Sequence, residues 1–368
     1  MKNLIYLSPV PWASFAQRPQ KFVNWFHAQY GGEVLWIEPY ATRFPSWHDL
    51  KRARHTPVES HSAQVPSWLT RIKVSSIPIE PLPGSAWLNQ YLWKRVIGAA
   101  VDFANVGDCS LVIGKPSVLA ITLMKTLPDI FAVYDAMDDF PAFYRGLSRQ
   151  AMRWREAQVM AKADEVWTSS TVLYDRVNLS PRKMRLIKNG LDAAAVEAIK
   201  PIEANPDQKV FGYIGTIGAW FDWDMVIALA RAAPNDIVRI IGPIFKAPPK
   251  NLPANIELLP PCEHALAMEY MGGMDVGLIP FLKNELTASV DPIKYYEYRA
   301  LGMPVISTAF GEMLNHGSDE DTFLVNGLGE IACTVNKARA SIRSKRLDIA
   351  FVQANSWDAR FNQTMSKL

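Results

Sequence analysis

Cysteine is scarce. The 368 residues hold three, Cys109, Cys262 and Cys333, an odd number at wide intervals. That excludes a disulfide framework and a thiolate zinc site, and it points to a reducing cytosol. The six histidines show no zinc-ligand spacing. No run of eighteen apolar residues occurs, so nothing reads as a membrane span. The opening MKNLIYLSPVPW turns polar too soon for a signal peptide and reads as a first strand. A G-x-G-x-x-G fingerprint is missing, which argues against a dinucleotide-dependent dehydrogenase. Zinc-finger and RNA-binding motifs are missing too, and nucleic acid is not an expected partner.

What is present fits a large globular protein. Apolar residues make up 49% of the chain, and 368 residues suffice for two domains. The net charge of +3 hides an asymmetry. Residues 1–190 carry 23 Lys and Arg against 15 Asp and Glu, and the remainder carries 16 against 21. A basic first half favours an anionic partner, such as an anionic membrane surface or acceptor. Short apolar runs alternate with helical stretches. Strands are expected at 4–7, 34–37, 71–77, 111–113, 130–134, 165–168 and 184–187, then at 210–214, 238–241, 256–258, 276–279, 305–307 and 322–325. This βαβα rhythm implies an α/β protein with parallel sheets covered on both faces. Two such series imply two doubly wound, Rossmann-like domains. The first is expected over 1–192, a polar linker over 193–208, the second domain over 209–355, and a terminal helix over 356–368. Residues 40–70 read as an irregular insertion.

The stretch SVDPIKYYEYRALGMPVIST, residues 289–308, carries the most chemistry. Asp291 is placed to cap a helix, with Pro292 in its first turn. Gly302 ends the helix and Pro304 prevents its continuation. A helix start offers free N–H groups and a positive dipole end, which favour phosphate. Lys294 adds a mobile charge for a diphosphate. Glu297, one turn deeper, is able to accept hydrogen bonds from a ribose diol. Thr287 and Ser289 offer hydroxyls beside Lys294.

This stretch resembles the donor-nucleotide segment of GT-B glycosyltransferases of the family 1 and family 4 type. There a helix glutamate precedes A-x-G-x-P-V, matched by Glu297, Ala300, Gly302, Pro304 and Val305. The usual second glutamate, eight residues earlier, is replaced by Ser289. The variant from Asn284 to Tyr298 resembles TuaH-type bacterial cell-surface polysaccharide transferases. FGYIGTIGAWFD (211–222), IIGP (240–243), DVGLIPF (275–281) and Ser356–Trp357 extend the resemblance along the second half. It implies a GT-B fold, with two Rossmann-like domains facing across a cleft. It also implies a nucleotide-diphosphate sugar as substrate and neither metal nor cofactor. An Asn-Gly-x-Asp at 189–192 closes the first domain in that family. Gly242, Pro243 and Glu263 fall where the family encloses the nucleotide base.

Further candidates lie elsewhere. Asp135, Asp138 and Asp139 follow an apolar strand, at the edge where α/β folds bind ligands. Three crowded acids repel, so one is a tunable general base; Asp138 ranks first and Asp135 second. The alternative is helix or loop capping by Asp138 or Asp139. Arg18 is suited to an anionic group or remains a solvated residue before a helix. Gly215 and Thr216 permit a close approach to phosphate or sugar. Asp222 either caps the next helix or touches a sugar. The helix at 85–100 mixes Trp, Leu and Tyr with basic residues, as a core helix or a membrane-interface helix would, and the basic run 51–54 adds to the second reading.

The reading is a cytosolic glycosyltransferase, peripheral to the inner membrane face. It uses a UDP-sugar in preference to a GDP-sugar and a lipid-linked or surface saccharide acceptor. A nucleotide-sugar 2-epimerase on the same fold and a non-catalytic nucleotide-sugar-binding protein remain as alternatives.

Overall fold

The computed structural model describes all residues except 15, 41–64, 78–84, 178–182, 201, 203, 204, 344, 345 and 365–368, and also omits the side chains at 85–87 and 183. The basic run 51–54 and most of the expected insertion lie outside the described residues. The chain divides into two compact units, Met1–Lys188 with Phe361–Leu368, and Asn189–Arg360.

In the first unit β1 (Lys2–Leu7), β2 (Gly31–Ile37), β3 (Leu69–Ile72), β4 (Cys109–Ile113), β5 (Phe131–Ala136), β6 (Glu165–Thr168) and β7 (Lys183–Leu186) form a parallel sheet. Their order is 3-2-1-4-5-6-7. The helices are α1 (Arg18–Tyr30), α2 (Ser85–Ala104), α3 (Val118–Thr126), α4 (Gly146–Lys162) and α5 (Thr171–Val177). Strand order reverses between β1 and β4. Right-handed crossovers therefore place α1 on one face and α2, α3 and α4 side by side on the other. Leu4, Ile5, Tyr6 and Leu7 are all buried, as a strand covered on both faces requires. One face packs Ile5 and Leu111 with Trp93, Val96, Leu123 and Val159. The other is aromatic: Tyr6 stacks on Trp36 at 5.2 Å, and Phe361 meets Phe22 edge-on at 5.2 Å.

The second unit holds β8 (Val210–Ile214), β9 (Ile237–Ile241), β10 (Ile256–Leu259), β11 (Val276–Ile279), β12 (Val305–Thr308) and β13 (Thr322–Val325). They form a parallel sheet in the order 10-9-8-11-12-13. Its helices are α6 (Ala193–Glu197), α7 (Trp223–Ala232), α8 (His264–Gly272), α9 (Ile293–Ala300), α10 (Ile331–Ala340), α11 (Ile349–Asn355) and α12 (Trp357–Asn362). The order reverses between β8 and β11, so the C-terminal ends of these strands frame a ligand-binding edge.

Three expectations need correction. The strand expected at 71–77 is instead Leu69–Ile72: its partner β2 ends at Ile37, opposite Ile72, and further on the Asn89 side chain takes both the N–H and C=O of Ile77. The segment 193–208 is not simply a linker. Asp192 caps α6, and Val196 and Ile199 are buried in the core of the second unit. The division falls at Lys188, ahead of the Asn-Gly turn, and α12 passes from one unit to the other between Arg360 and Phe361.

Candidate active site

On the second unit the site is built around α9. Its start differs from the sequence reading: Pro292, with no side-chain bond, is the N-cap. Asp291 turns inward instead. Its carboxylate accepts from the Asn189 N–H at 2.7 Å and from the Tyr296 hydroxyl at 3.0 Å, and its C=O accepts from Asn189 Nδ2 at 2.8 Å. Arg360 donates to the Asn189 C=O at 3.1 Å and lies over the Tyr296 ring. The Asn-Gly turn thus braces the loop that leads into α9.

The helix ends as expected. Gly302 has a φ of +68°. Its N–H bonds the Arg299 C=O and the Met303 N–H bonds the Tyr298 C=O, the paired bonds of a Schellman turn. Three tyrosines hold α9 in place, and the sequence reading gave them no role. The Tyr298 ring fills the space where a Cβ on Gly277 would sit, at 2.3 Å, and its hydroxyl oxygen accepts from the Ile214 N–H at 3.4 Å. Tyr296 reaches Asp291, and Tyr295 donates to Asp319 while stacking on His316 at 3.9 Å. The run Lys-Tyr-Tyr-Glu-Tyr was the available signal.

Lys294 and Glu297 project from this anchored helix, with Nζ 2.6 Å from Oε2. Glu297 is only 7% exposed, whereas Lys294 is half-buried. A carboxylate held by one ammonium keeps further lone pairs for hydroxyl donors, and the ammonium keeps further protons for phosphate oxygens. Thr287 is less available. Its hydroxyl donates to the Leu282 C=O and accepts from the Asn284 N–H, closing the turn after β11. Ser289 is buried in the same loop.

Gly215 and Gly242 end the neighbouring strands β8 and β9 with φ of +156° and +138°. A Cβ on Gly242 would stand 2.1 Å from the Gly215 C=O oxygen. Here the close approach is between the two backbones themselves. The Thr216 C=O accepts from the Tyr213 hydroxyl at 3.0 Å. Glu263, exposed, precedes α8. Gly215, Gly242, Glu263 and α9 all lie at the C-terminal edge of this sheet. Asp222 caps α7 through the Met225 N–H at 3.0 Å, which supports its capping role over a sugar contact.

On the first unit the three acids after β5 separate into distinct environments. Asp135, 1% exposed, is gripped by Arg18, with Nε 3.0 Å from Oδ2 and Nη2 2.8 Å from Oδ1. Arg18 also donates to the Ile187 C=O at 2.7 Å. The sequence reading of Arg18 as an anion contact or a solvated residue, and of Asp135 as a base, gives way to one buried ion pair. Asp139 pairs with Arg176 at 2.5 Å, and the same guanidinium reaches Glu156 at 3.4 Å. Asp138 is half-buried, and no described residue forms a hydrogen bond or ion pair with its carboxylate. Burial pushes that carboxyl up to about 7; Arg18 opposes the shift, while Asp135 and Asp139 add to it. A carboxyl raised to about 7 is able to exchange a proton near neutrality.

No family model matches the chain. Its sequence is similar to the putative teichuronic acid biosynthesis glycosyltransferase TuaH of Bacillus subtilis (strain 168), 25% identical over 201 residues, 48% of this chain and 50% of that protein. The chain thus spans half the length of the curated relative it matches. Among solved structures it resembles sucrose-phosphate synthase from Thermosynechococcus elongatus, with a TM-score of 0.72, 13% identity, and coverage of 100% of this chain and 98% of that one. It also resembles an alpha,alpha-trehalose-phosphate synthase (UDP-forming) from Burkholderia vietnamiensis, with a TM-score of 0.59, 12% identity, and coverage of 100% and 98%. The fold is the GT-B architecture of two Rossmann-like units, as the resemblance implied.

Proposed function

We propose that this protein is a glycosyltransferase. It takes a sugar from a UDP-sugar, in preference to a GDP-sugar, and transfers it to a saccharide acceptor of the cell envelope, lipid-linked or polymeric. The observation that carries this reading is the Lys294–Glu297 pair on the anchored α9, at the ligand-binding edge of the second unit. Similarity to a teichuronic acid transferase supports the acceptor class, and a UDP-forming neighbour supports the base.

In this reading Lys294 and the free N–H groups at the start of α9 take up the diphosphate charge as it leaves, without a metal ion. Glu297 accepts from the ribose hydroxyls. Asp138 removes the acceptor proton as the acceptor oxygen bonds to the anomeric carbon and the bond to the UDP oxygen breaks. Gly215, Thr216, Gly242 and Glu263 line the donor edge through backbone and rim contacts. The reaction belongs in the cytoplasm, at the inner membrane face.

The test is UDP release from a panel of UDP-sugars, with and without envelope saccharide acceptors. Release that requires an acceptor and is unchanged by EDTA supports the transferase. UDP release without an acceptor at the full rate, with the sugar recovered inverted at C2, identifies a nucleotide-sugar 2-epimerase. Binding of the UDP-sugar without turnover identifies a non-catalytic binding protein.

A further inference from the structure

The loop that carries Asp138 runs through a 3-10 turn (Phe140–Phe143) into α4. The rotation of α4 is fixed from within. Its Glu156 is buried, accepts from the Tyr134 hydroxyl at 2.9 Å and pairs with Arg176, while Met152 and Val159 enter the core. At 100° per residue, Leu147 and Trp154 must point the opposite way. They are 81% and 60% exposed, and Phe143, just ahead of the helix, is 52% exposed. Arg145, Arg153 and Lys162 are exposed around them. Glu156 is the only acid in α4, and it faces inward. The outer face is therefore apolar and basic, with no exposed acid.

α2 extends the same pattern on the same side of the sheet. Trp93 and Val96 are core residues, whereas Leu88, Tyr91, Leu92, Lys94 and Arg95 are exposed. The Lys94 ammonium lies 4.9 Å from the Tyr91 ring centre. No acid occurs in α2 before Asp102, in its last turn. A helix that follows a strand in a parallel α/β unit runs back along it. The first turns of α2 and α4 therefore stand at the strands' C-terminal edge, where Asp138 lies. The exposed acids Asp102, Asp108, Asp129 and Asp164 stand at the opposite edge, and Asp175 is exposed on α5.

We propose that the outer face of α4 docks on an anionic phospholipid surface, with the first half of α2, beyond α3 on the same side of the sheet, as a second contact. Exposed large apolar and aromatic side chains flanked by Arg and Lys are the chemistry of a helix lying in a charged bilayer interface. A second copy of this face would bring like charges together, so the surface is not self-complementary. The proposal stands independently of the donor-site reading. It shifts the membrane contact expected for the helix at 85–100 towards α4.

The test is co-sedimentation with vesicles of equimolar phosphatidylglycerol and phosphatidylcholine, against pure phosphatidylcholine, at low and high salt. The wild type binds the anionic vesicles at least tenfold more strongly, and salt weakens this binding. Leu147→Glu with Trp154→Glu, and separately Arg153→Glu, reduce it tenfold or more. Leu314→Glu, an exposed apolar residue of the second unit, binds like the wild type. Unchanged circular dichroism and thermal unfolding show that the variants fold. Failure of the wild type to bind anionic vesicles overturns the proposal, as do variants that bind normally. Two further outcomes overturn it: exclusive binding of soluble hyaluronate by this face, which makes it a polyanion site, and self-association that the α4 variants abolish.

Discussion

The guanidinium of Arg18 lies against both carboxylate oxygens of Asp135, a partner 117 residues away, with neither side chain more than 3% exposed. The pair ties the start of α1 to the end of β5 and fixes the origin of the Asp138 loop. Removing one member leaves a buried charge uncompensated. Arg18→Met is expected to cost about 3–5 kcal/mol in urea unfolding. Arg18→Met with Asp135→Leu should be more stable than Arg18→Met alone. If both unfold at the same urea concentration, the ion pair is not what the single substitution breaks.

Asp135 and Asp139 are each committed to an arginine, whereas burial pushes the Asp138 carboxyl up to about 7. If it is the base, kcat/KM rises with pH through about 7 and levels above it. Asp138→Asn should remove that limb and lower kcat roughly 100-fold or more. Stability moves the other way. Between the ordinary carboxyl value of 3.8 and about 7, the folded chain holds a proton that the unfolded chain has lost. Wild-type stability attributable to this group therefore falls as pH rises across that window, and the asparagine variant lacks that slope. Unfolding curves at pH 5 and pH 8 read the difference.

Gly242 and Gly215 make a backbone contact that no other residue pair would fit. Gly242→Ala places a methyl 2.1 Å from the Gly215 oxygen, at a φ of +138°. We expect a loss of roughly 3 kcal/mol or more by chemical denaturation. Gly98→Ala on α2, where a Cβ meets nothing within 4 Å, serves as the comparison and should be neutral or stabilising.

The parts of this arrangement that were legible in the sequence are local. The glycine stop of α9 and its following strand rest on residues a few positions apart, and so does the Asp222 cap. The start of α9 is a local feature that was misread. Asp291 was free in principle to cap the helix, but a partner 102 residues away, Asn189, holds it inward. Arg18 was misread for the same reason, because a buried Asp135 is invisible to spacing. The difference among three acids within five residues is likewise set at a distance: Asp135 pairs with Arg18, Asp139 with Arg176, and Asp138 with neither. The exposed face of α4 was missed because its apolar residues are widely spaced. It emerges only once Glu156 is seen to point inward.

Asn189→Ala should loosen the loop before α9 without touching the donor. Its N–H bond to Asp291 survives, but the Nδ2 bond to the Asp291 C=O is lost, at a cost of about 1 kcal/mol. UDP affinity should fall two- to fivefold, with the Asp138 pH limb unchanged. An unaltered affinity would show that the brace does not position the donor helix.

The donor site itself is tested most directly by calorimetric titration of UDP and GDP into the wild type, Glu297→Ala and Lys294→Ala. The account predicts one UDP bound per chain, weaker GDP binding, and a tenfold or greater loss in each variant, about 1.4 kcal/mol. Asp138→Asn should bind UDP like the wild type. If the wild type binds neither nucleotide, or both α9 variants bind as it does, the Lys294–Glu297 pair is a structural ion pair and the donor site lies elsewhere.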